Sequence, residues 1–177
     1  MNLFKQSIYS SLFLLLFFYS QNSCAQALIP SETAIDTASA FDFWEGDWKV
    51  WWYGKDSVVL EGQNHIDKTL DGKVLQEHFE DPNTGFKGTS ISVYNPKKNE
   101  WHQAWADNQG GYFNFVGQVA DNKRIFHTLP KEVNGKTIVL RMVFYNIQAN
   151  SFTWDWEQST DGGETWNLSW RIHYERK

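Results

Sequence analysis

Apolar and polar residues alternate along most of the chain after residue 40, and no stretch there keeps a helical period. A period of two places successive side chains on opposite faces, which is the pattern of a half-buried β-strand. Glycine, asparagine and aspartate separate the alternating runs. The pattern predicts strands over 48–53, 58–67, 73–80, 88–94, 100–107, 112–119, 124–129, 137–146, 151–158 and 166–175.

The connections between these runs are short and have the chemistry of tight turns. Asp71-Gly72, Asn95-Pro96 and Asn134-Gly135 are pairs that favour a sharp reversal of the chain. An antiparallel meander with many strands removes its exposed edges by closing on itself. We therefore predict an all-β fold, an antiparallel meander closed into a barrel of about eight to ten strands, with room for one small ligand.

The first residues have the features of a secretory signal peptide. Lys5 precedes an apolar run over 12–19 that is too short to span a bilayer, and Ala25-Gln26-Ala27 matches the A-x-A cleavage pattern. The protein is therefore expected to be exported, either to the periplasm or out of the cell. The predicted organisation is a signal peptide over 1–25, a polar leader over 26–40 and one barrel domain over 41–177.

The single cysteine and the negative net charge argue against some classes of function. Lipid anchoring at Cys24 is the less favoured alternative to cleavage, because Gln21 stands where lipoprotein signals usually carry Leu. Without Cys24 the chain has no disulfide, thiol nucleophile or thiolate metal site. Removal of the signal peptide, with Lys5, leaves 15 basic and 21 acidic residues and a net charge of −6. An acidic chain without a basic run is a poor binder of nucleic acid.

The histidines do not predict a metal site. None of the five belongs to an H-x-H or H-E-x-x-H motif. They are His65, His78, His102, His127 and His173. We expect no metal and no other cofactor. The expected partner is a small molecule or an oligosaccharide inside the barrel, with no nucleic acid and no membrane-spanning segment.

Ten tryptophans lie in clusters within or beside the predicted strands. They are Trp44, Trp48, Trp51, Trp52, Trp101, Trp105, Trp154, Trp156, Trp166 and Trp170. An indole ring combines a flat apolar face with one N–H donor, which suits sugars and other partly polar ligands. The set favours a lined pocket, and the alternative is that the rings only fill a small barrel.

Alternation also sorts the polar residues that could enter a pocket. Glu77 shares a strand face with Leu75 and Phe79, where a carboxylate is costly unless it is paired or used. His78 points to the opposite face, so Glu77 and His78 cannot both face the pocket without a bulge. A row that resembles a pocket wall aligns on the strand over 100–107: Trp101, Gln103, Trp105 and Asp107.

A charged residue also lies among apolar neighbours on the strand over 137–146. Arg141 aligns there with Tyr145 and two valines, which indicates a partnered charge. Two alternatives stand side by side: a functional role in the pocket, or a structural ion pair with Glu77 or Glu157.

The segment over 159–166, Ser-Thr-Asp-Gly-Gly-Glu-Thr-Trp, matches the Asp-box pattern S-x-D-x-G-x-T-W. Asp161 can accept backbone N–H bonds across a turn, and the glycines permit positive φ. The motif predicts a hairpin and says little about chemistry. A single copy argues against a β-propeller.

The sequence resembles a known family over essentially the whole domain. The shared motifs are Phe41-Asp42-Phe43-Trp44-Glu45-Gly46-Asp47-Trp48, Asp71-Gly72 with Glu77, Tyr94-Asn95-Pro96, Trp101-x-Gln103-x-Trp105-x-Asp107-x-x-Gly110, Trp156-Glu157 with the segment 159–166, and Trp170 with Tyr174-x-Arg176. They resemble a lipocalin-like, calycin-type bacterial domain family of unknown function. The resemblance implies a β-barrel with an internal pocket. Some relatives are similar to oligosaccharide dehydratases of polysaccharide-degradation loci, which remove water from a terminal uronic acid.

The leading hypothesis is therefore a secreted dehydratase, a carbon–oxygen lyase that acts on the terminal uronic acid of an acidic oligosaccharide. Its chemistry needs a cation for the carboxylate, a base for the neighbouring C–H proton and an acid for the leaving group. The catalytic candidates are Arg141 for the carboxylate, His78, Glu77 and Asp107 as base or acid, and Tyr145 as an alternative acid. The substrate-binding candidates are Gln103, Trp105, Trp154 and Glu157.

Two other classes of protein use the same barrel. A lipocalin-like carrier of a small apolar or amphipathic molecule needs the tryptophans but neither Arg141 nor the acids. A structural or interaction module of the cell envelope needs only a barrel filled with side chains.

Overall fold

The structure, a computed structural model, describes residues 36–177. The predicted signal peptide, with Cys24, and most of the predicted leader lie outside the described residues. The strands are β1 (Gly46–Tyr53), β2 (Val59–Thr69), β3 (Val74–Asp81), β4 (Phe86–Asn95), β5 (Glu100–Asp107), β6 (Tyr112–Ala120), β7 (Lys123–His127), β8 (Lys131–Val133), β9 (Lys136–Tyr145), β10 (Ser151–Ser159) and β11 (Asn167–Arg176). Three short 3-10 helices span Thr37–Ser39, Asp42–Trp44 and Lys55–Ser57.

The strands form a closed antiparallel barrel. β1 to β7 pair in chain order, β7 pairs with β9, and β9, β10, β11 and β1 complete the circle. The remaining strand, β8, pairs only with β9 and lies outside the barrel. The predicted all-β barrel is thus confirmed. Alternation does not predict β8, because all three of its residues are exposed and it has no buried face.

Burial alternates along the barrel strands as their sequences predict. On β3, for example, Leu75, Glu77, Phe79 and Asp81 are buried while His78 is exposed. The pleat of a strand sends these four side chains into the barrel and their neighbours outward. Within residues 36–177, no helix has the length and apolar character needed to cross a membrane.

The segment over 36–44 closes one end of the barrel. Phe41 is fully buried, and its ring stacks on Phe126 with centroids 4.3 Å apart and meets Trp101 edge-on at 5.3 Å. Trp44 meets Phe144 at 5.2 Å. Because these partners lie on β5, β7 and β9, the segment acts as a plug that joins three strands. We call it the N-terminal plug.

Part of the predicted leader belongs to this plug. Ala40 is buried, and the carbonyl of Thr37 accepts a hydrogen bond from Nε1 of Trp101 at 2.7 Å. The carbonyl of Ala40 accepts another from Nε of Arg124 at 2.9 Å. The folded domain therefore begins before residue 41, several residues earlier than composition indicates.

The last strand holds the plug in place. Arg176 donates to the carbonyls of Glu45 at 2.9 Å and Phe43 at 3.2 Å, and its guanidinium lies 4.2 Å from the centre of the Trp48 ring. Trp48 in turn donates from Nε1 to the carbonyl of Trp44 at 2.8 Å. The first and last motifs that carry the family resemblance therefore meet in space and have a structural role.

Candidate functional site

A cavity of about 220 Å³ lies between inward-facing side chains of the barrel. Most of its lining is aromatic or aliphatic. The lining residues are Glu77, Phe79, Phe86, Trp105, Asp107, Phe113, Phe115, Met142, Trp154, Trp156, Trp170, Ile172 and Tyr174. A concave, mostly apolar space with a few polar groups is the usual form of a small-molecule site.

Nine aromatic side chains line this cavity, and seven of them follow one another around the barrel; we call these seven the aromatic wall. Neighbouring ring centroids along the wall are 5.8 to 6.4 Å apart. The circle closes because Trp105 and Phe113 are register partners on β5 and β6. In order around the barrel the members are Trp105, Phe86, Phe79, Trp170, Trp154, Trp156 and Phe113.

Glu77 contributes a buried carboxyl group to the lining. Its Oε1 accepts a hydrogen bond from Nδ2 of Asn64 at 2.8 Å, and its Oε2 accepts one from the hydroxyl of Ser90 at 2.6 Å. Burial raises the pKa of Glu77 to about 7, although the hydrogen bonds from Ser90 and Asn64 oppose the shift. The carboxyl of Glu77 therefore changes charge close to neutral pH.

Asn64 links Glu77 to a buried tyrosine across the barrel. Nδ2 of Asn64 also lies 3.1 Å from the hydroxyl of Tyr174, which is itself part of the lining. Burial, and then the nearby charge of Glu77, raises the pKa of Tyr174, so its phenol stays protonated. Among the described residues, Oδ1 of Asn64 has no hydrogen-bond partner. The four residues form one polar cluster: Asn64, Glu77, Ser90 and Tyr174.

Asp107 is the second carboxylate of the lining. Its Oδ1 accepts backbone N–H bonds from Gly111 at 2.8 Å and Gln109 at 3.0 Å, and its Oδ2 accepts Nε1–H of Trp105 at 3.1 Å. Burial alone would raise the pKa of Asp107, but these donors together lower it. Asp107 is therefore ionised at neutral pH, and it orients the Trp105 ring in the aromatic wall.

The structure brings together four of the predicted site residues. Glu77, Asp107, Trp105 and Trp154 all line the cavity. A fifth, Gln103, is buried in the barrel but is not part of the lining, and its Nε2 donates to the hydroxyl of Ser92 at 2.9 Å. The row predicted on the strand over 100–107 thus faces inward.

Arg141 and Glu157 lie on the outer face, so the prediction that they enter the pocket does not hold. They are register partners on β9 and β10, and Nε of Arg141 donates to Oε2 of Glu157 at 2.5 Å. The guanidinium also stacks 3.6 Å from the centre of the Trp166 ring. The inward residues of β9 are instead Met142 and Phe144. The structural ion pair, one of the two alternatives for Arg141, is the arrangement observed.

Tyr145 and His78 also face away from the cavity. The hydroxyl of Tyr145 lies 3.3 Å from Oδ2 of Asp155, which is held by Arg171 at 2.7 Å. His78 is exposed on β3, opposite in direction to Glu77. Of the two neighbours that cannot both face the pocket, Glu77 is the one that lines it. Across residues 36–177, no group of three or more His, Cys, Asp or Glu side chains could hold a metal ion.

Several lining residues are not among the predicted site residues. Trp156 and Trp170 are two of them, although Trp156 follows the predicted Trp154 by two positions. Alternation places those two rings on one face, and that signal was sufficient to find Trp156. The tight turn at Asp71-Gly72 pairs β2 with β3, and that signal could have placed Asn64 beside Glu77, whereas nothing in the sequence brings Tyr174 on β11 to them.

The loop over 159–166 lies outside the barrel and organises the Arg141 face. Asp161 accepts hydrogen bonds from the backbone N–H groups of Glu164 and Thr165 at 3.1 and 3.0 Å. Hydrogen bonds from the hydroxyls of Ser159 and Thr165, and then from these backbone donors, hold the pKa of Asp161 far below its usual range. The loop places Trp166 over Arg141, and none of its residues is among those that line the cavity.

No protein-family model matches the chain, and no curated protein is found to be similar to it. The resemblance to a lipocalin-like family stays a prediction. The cavity, its aromatic wall and its two carboxylates are the observations on which a function is proposed.

Proposed function

We propose that the protein binds one small amphipathic molecule inside the barrel and acts as an exported carrier or receptor for it. The observation that carries the proposal is the aromatic wall, which lines a cavity whose acidic side chains, among the described residues, are Glu77 and Asp107. The predicted signal peptide supports export to the periplasm or beyond.

The size of the cavity supports a ligand of modest dimensions. An apolar cavity of about 150 Å³ is enough to bind benzene. The cavity here, about 220 Å³, has room for a molecule somewhat larger than that. Apolar contact with the rings supplies affinity, and the carboxyl groups of Glu77 and Asp107 select a ligand with a polar or charged end.

Loss of one ring from the aromatic wall is expected to weaken binding about tenfold. The change is Trp170→Ala, because Trp170 contacts both Trp154 at 5.9 Å and Phe79 at 5.8 Å. Saturation-transfer NMR with benzyl alcohol and 3,3-dimethyl-1-butanol detects binding, and titration gives the dissociation constants.

The matched control is Trp51→Ala. Trp51 stacks on His173 at 4.0 Å and donates to Glu175 at 3.0 Å, outside the cavity lining, so its loss is expected to leave binding unchanged. Equal weakening by both substitutions, or no binding of either probe to the unaltered protein, would contradict the proposal.

The second candidate is the uronate dehydratase predicted from the resemblance. One observation favours it: the pKa of Glu77, about 7, suits a group that takes and returns a proton near neutral pH. The lining contains no Arg, Lys or His to neutralise the substrate carboxylate. Arg141, the residue predicted for that role, is paired with Glu157 outside. The dehydratase therefore ranks below the carrier.

This candidate predicts a new ultraviolet band when the protein is incubated with uronic-acid-terminated oligosaccharides. The band comes from the conjugated C=C–carboxylate, and the product is lighter by one water. Glu77→Gln should lower the rate about 100-fold or more, since proton transfer by a positioned group contributes that much. Arg141→Ala should keep the rate, because Arg141 does not reach the cavity. No band over a broad panel of substrates would remove this candidate.

A further inference from the structure

Within residues 36–177, the cavity lining contains acidic side chains and no basic ones. Its two ionisable acids are Glu77 and Asp107. The guanidinium groups of neighbouring strands are engaged elsewhere: Arg141 with Glu157, and Arg171 with Asp155. An anionic ligand would therefore meet carboxylates without a compensating cation, whereas a cationic ligand would meet two counter-charges.

The aromatic wall has the second property that a cation requires. The face of an indole or phenyl ring carries negative potential, and a cation within about 6 Å of a ring centre is attracted to it, most strongly to tryptophan. Four of the seven rings of the wall are tryptophans. Aromatic cages of this kind bind quaternary ammonium groups, because such groups are bulky, weakly hydrated and unable to donate hydrogen bonds.

The carboxylates are placed to act together with the rings. Each oxygen of Glu77 accepts one hydrogen bond, from Asn64 and from Ser90, and a carboxylate has about four acceptor positions. Asp107 holds the Trp105 ring by its indole N–H while lining the same cavity. Both acids line the same cavity as the rings, and the bonds that orient them can stay in place when a ligand enters it.

We propose that the ligand is an organic cation whose substituted ammonium group lies within the aromatic wall, opposite Glu77 and Asp107. This inference rests on the proposed function, that the barrel binds a small molecule, and adds the chemical class of that molecule. A trialkylammonium head of the size found in choline fits a cavity of about 220 Å³.

The test compares choline with 3,3-dimethyl-1-butanol, its uncharged isostere, by isothermal titration at pH 8. The two compounds have the same shape, so the ratio of their dissociation constants isolates the effect of the charge. We expect choline to bind about tenfold more tightly. Glu77→Gln and Asp107→Asn should each weaken the binding of choline more than the binding of the alcohol, and so reduce that ratio.

The control substitution is Glu157→Gln, which removes a carboxylate of the outer face and should preserve the ratio. Equal or tighter binding of the alcohol would overturn the cation inference and leave the proposed function standing. Failure of choline alone would have the same meaning. Failure of choline, the alcohol and benzyl alcohol together would overturn both.

Discussion

The free energy of unfolding is expected to fall by about 3 kcal/mol as pH rises from 4.5 to about 7, and Glu77→Gln is expected to remove this pH dependence. The loss arises because the fold buries the carboxyl group of Glu77. Ionisation of a group in that position is penalised, whereas the same group in the unfolded chain ionises freely.

The direction follows from the two pKa values. The pKa of Glu77 is about 7 in the folded state against an ordinary value of 4.5, so between these limits the folded protein holds a proton that the unfolded chain has released. Raising the pH across this interval therefore favours unfolding. The contribution to stability is complete below pH 4.5 and is lost as pH passes through about 7.

The measurement is the free energy of unfolding of both proteins, from urea denaturation at several pH values. The quantity of interest is the free energy of unfolding of the unaltered protein minus that of the variant. Other titrating groups cancel in this difference, which should fall as pH rises. Glu80→Gln is a matched control on the same strand. The hydrogen bond from Lys87 lowers the pKa of Glu80, so its effect on stability has the opposite dependence on pH. A difference for Glu77→Gln that stays constant or rises with pH would refute the prediction.

Phe41→Ala is expected to lower the free energy of unfolding by about 3–5 kcal/mol, the usual cost of removing a buried phenyl ring. Phe41 is fully buried and contacts three rings, those of Phe126, Trp101 and Phe144. Its removal leaves a void at the closed end of the barrel, where the N-terminal plug joins separate strands.

Chemical denaturation at constant pH measures this effect. Leu129→Ala, at a position 70% exposed, is the control and should change stability by less than about 0.5 kcal/mol. A loss below about 1 kcal/mol for Phe41→Ala would mean that the plug is not part of the core. The same substitution should leave the ligand site intact, because Phe41 is not part of the cavity lining.

The alternation of side chains was sufficient to predict the barrel. Short runs of period two with turn residues between them locate every barrel strand to within a few residues, because a pleated strand with one buried face imposes that period. The pattern does not predict the outer strand β8, because that strand has no buried face. It does not predict that Thr37 and Ala40 belong to the plug either, because they contribute backbone carbonyls, which every residue type has.

The same signal predicted part of the candidate site. It showed that Glu77 and His78 point in opposite directions and that Gln103, Trp105 and Asp107 share a face. The same signal wrongly placed Arg141 in the pocket. Strand β9 is buried on both faces, with Val143 outside 4% exposed and Phe144 inside fully buried, so apolar neighbours did not reveal which face is the interior.

The sequence by itself determined the strands, the closed barrel and which residues share a face. Only the tertiary structure decided which face is inside, and that choice put Glu77 in the cavity and Arg141 against Glu157 and Trp166 outside. It also brought Tyr174, on β11, to the side chain of Asn64, which donates to the carboxyl group of Glu77. The physical reason is that a period of two has no direction: pairing between strands distant in sequence selects the interior face.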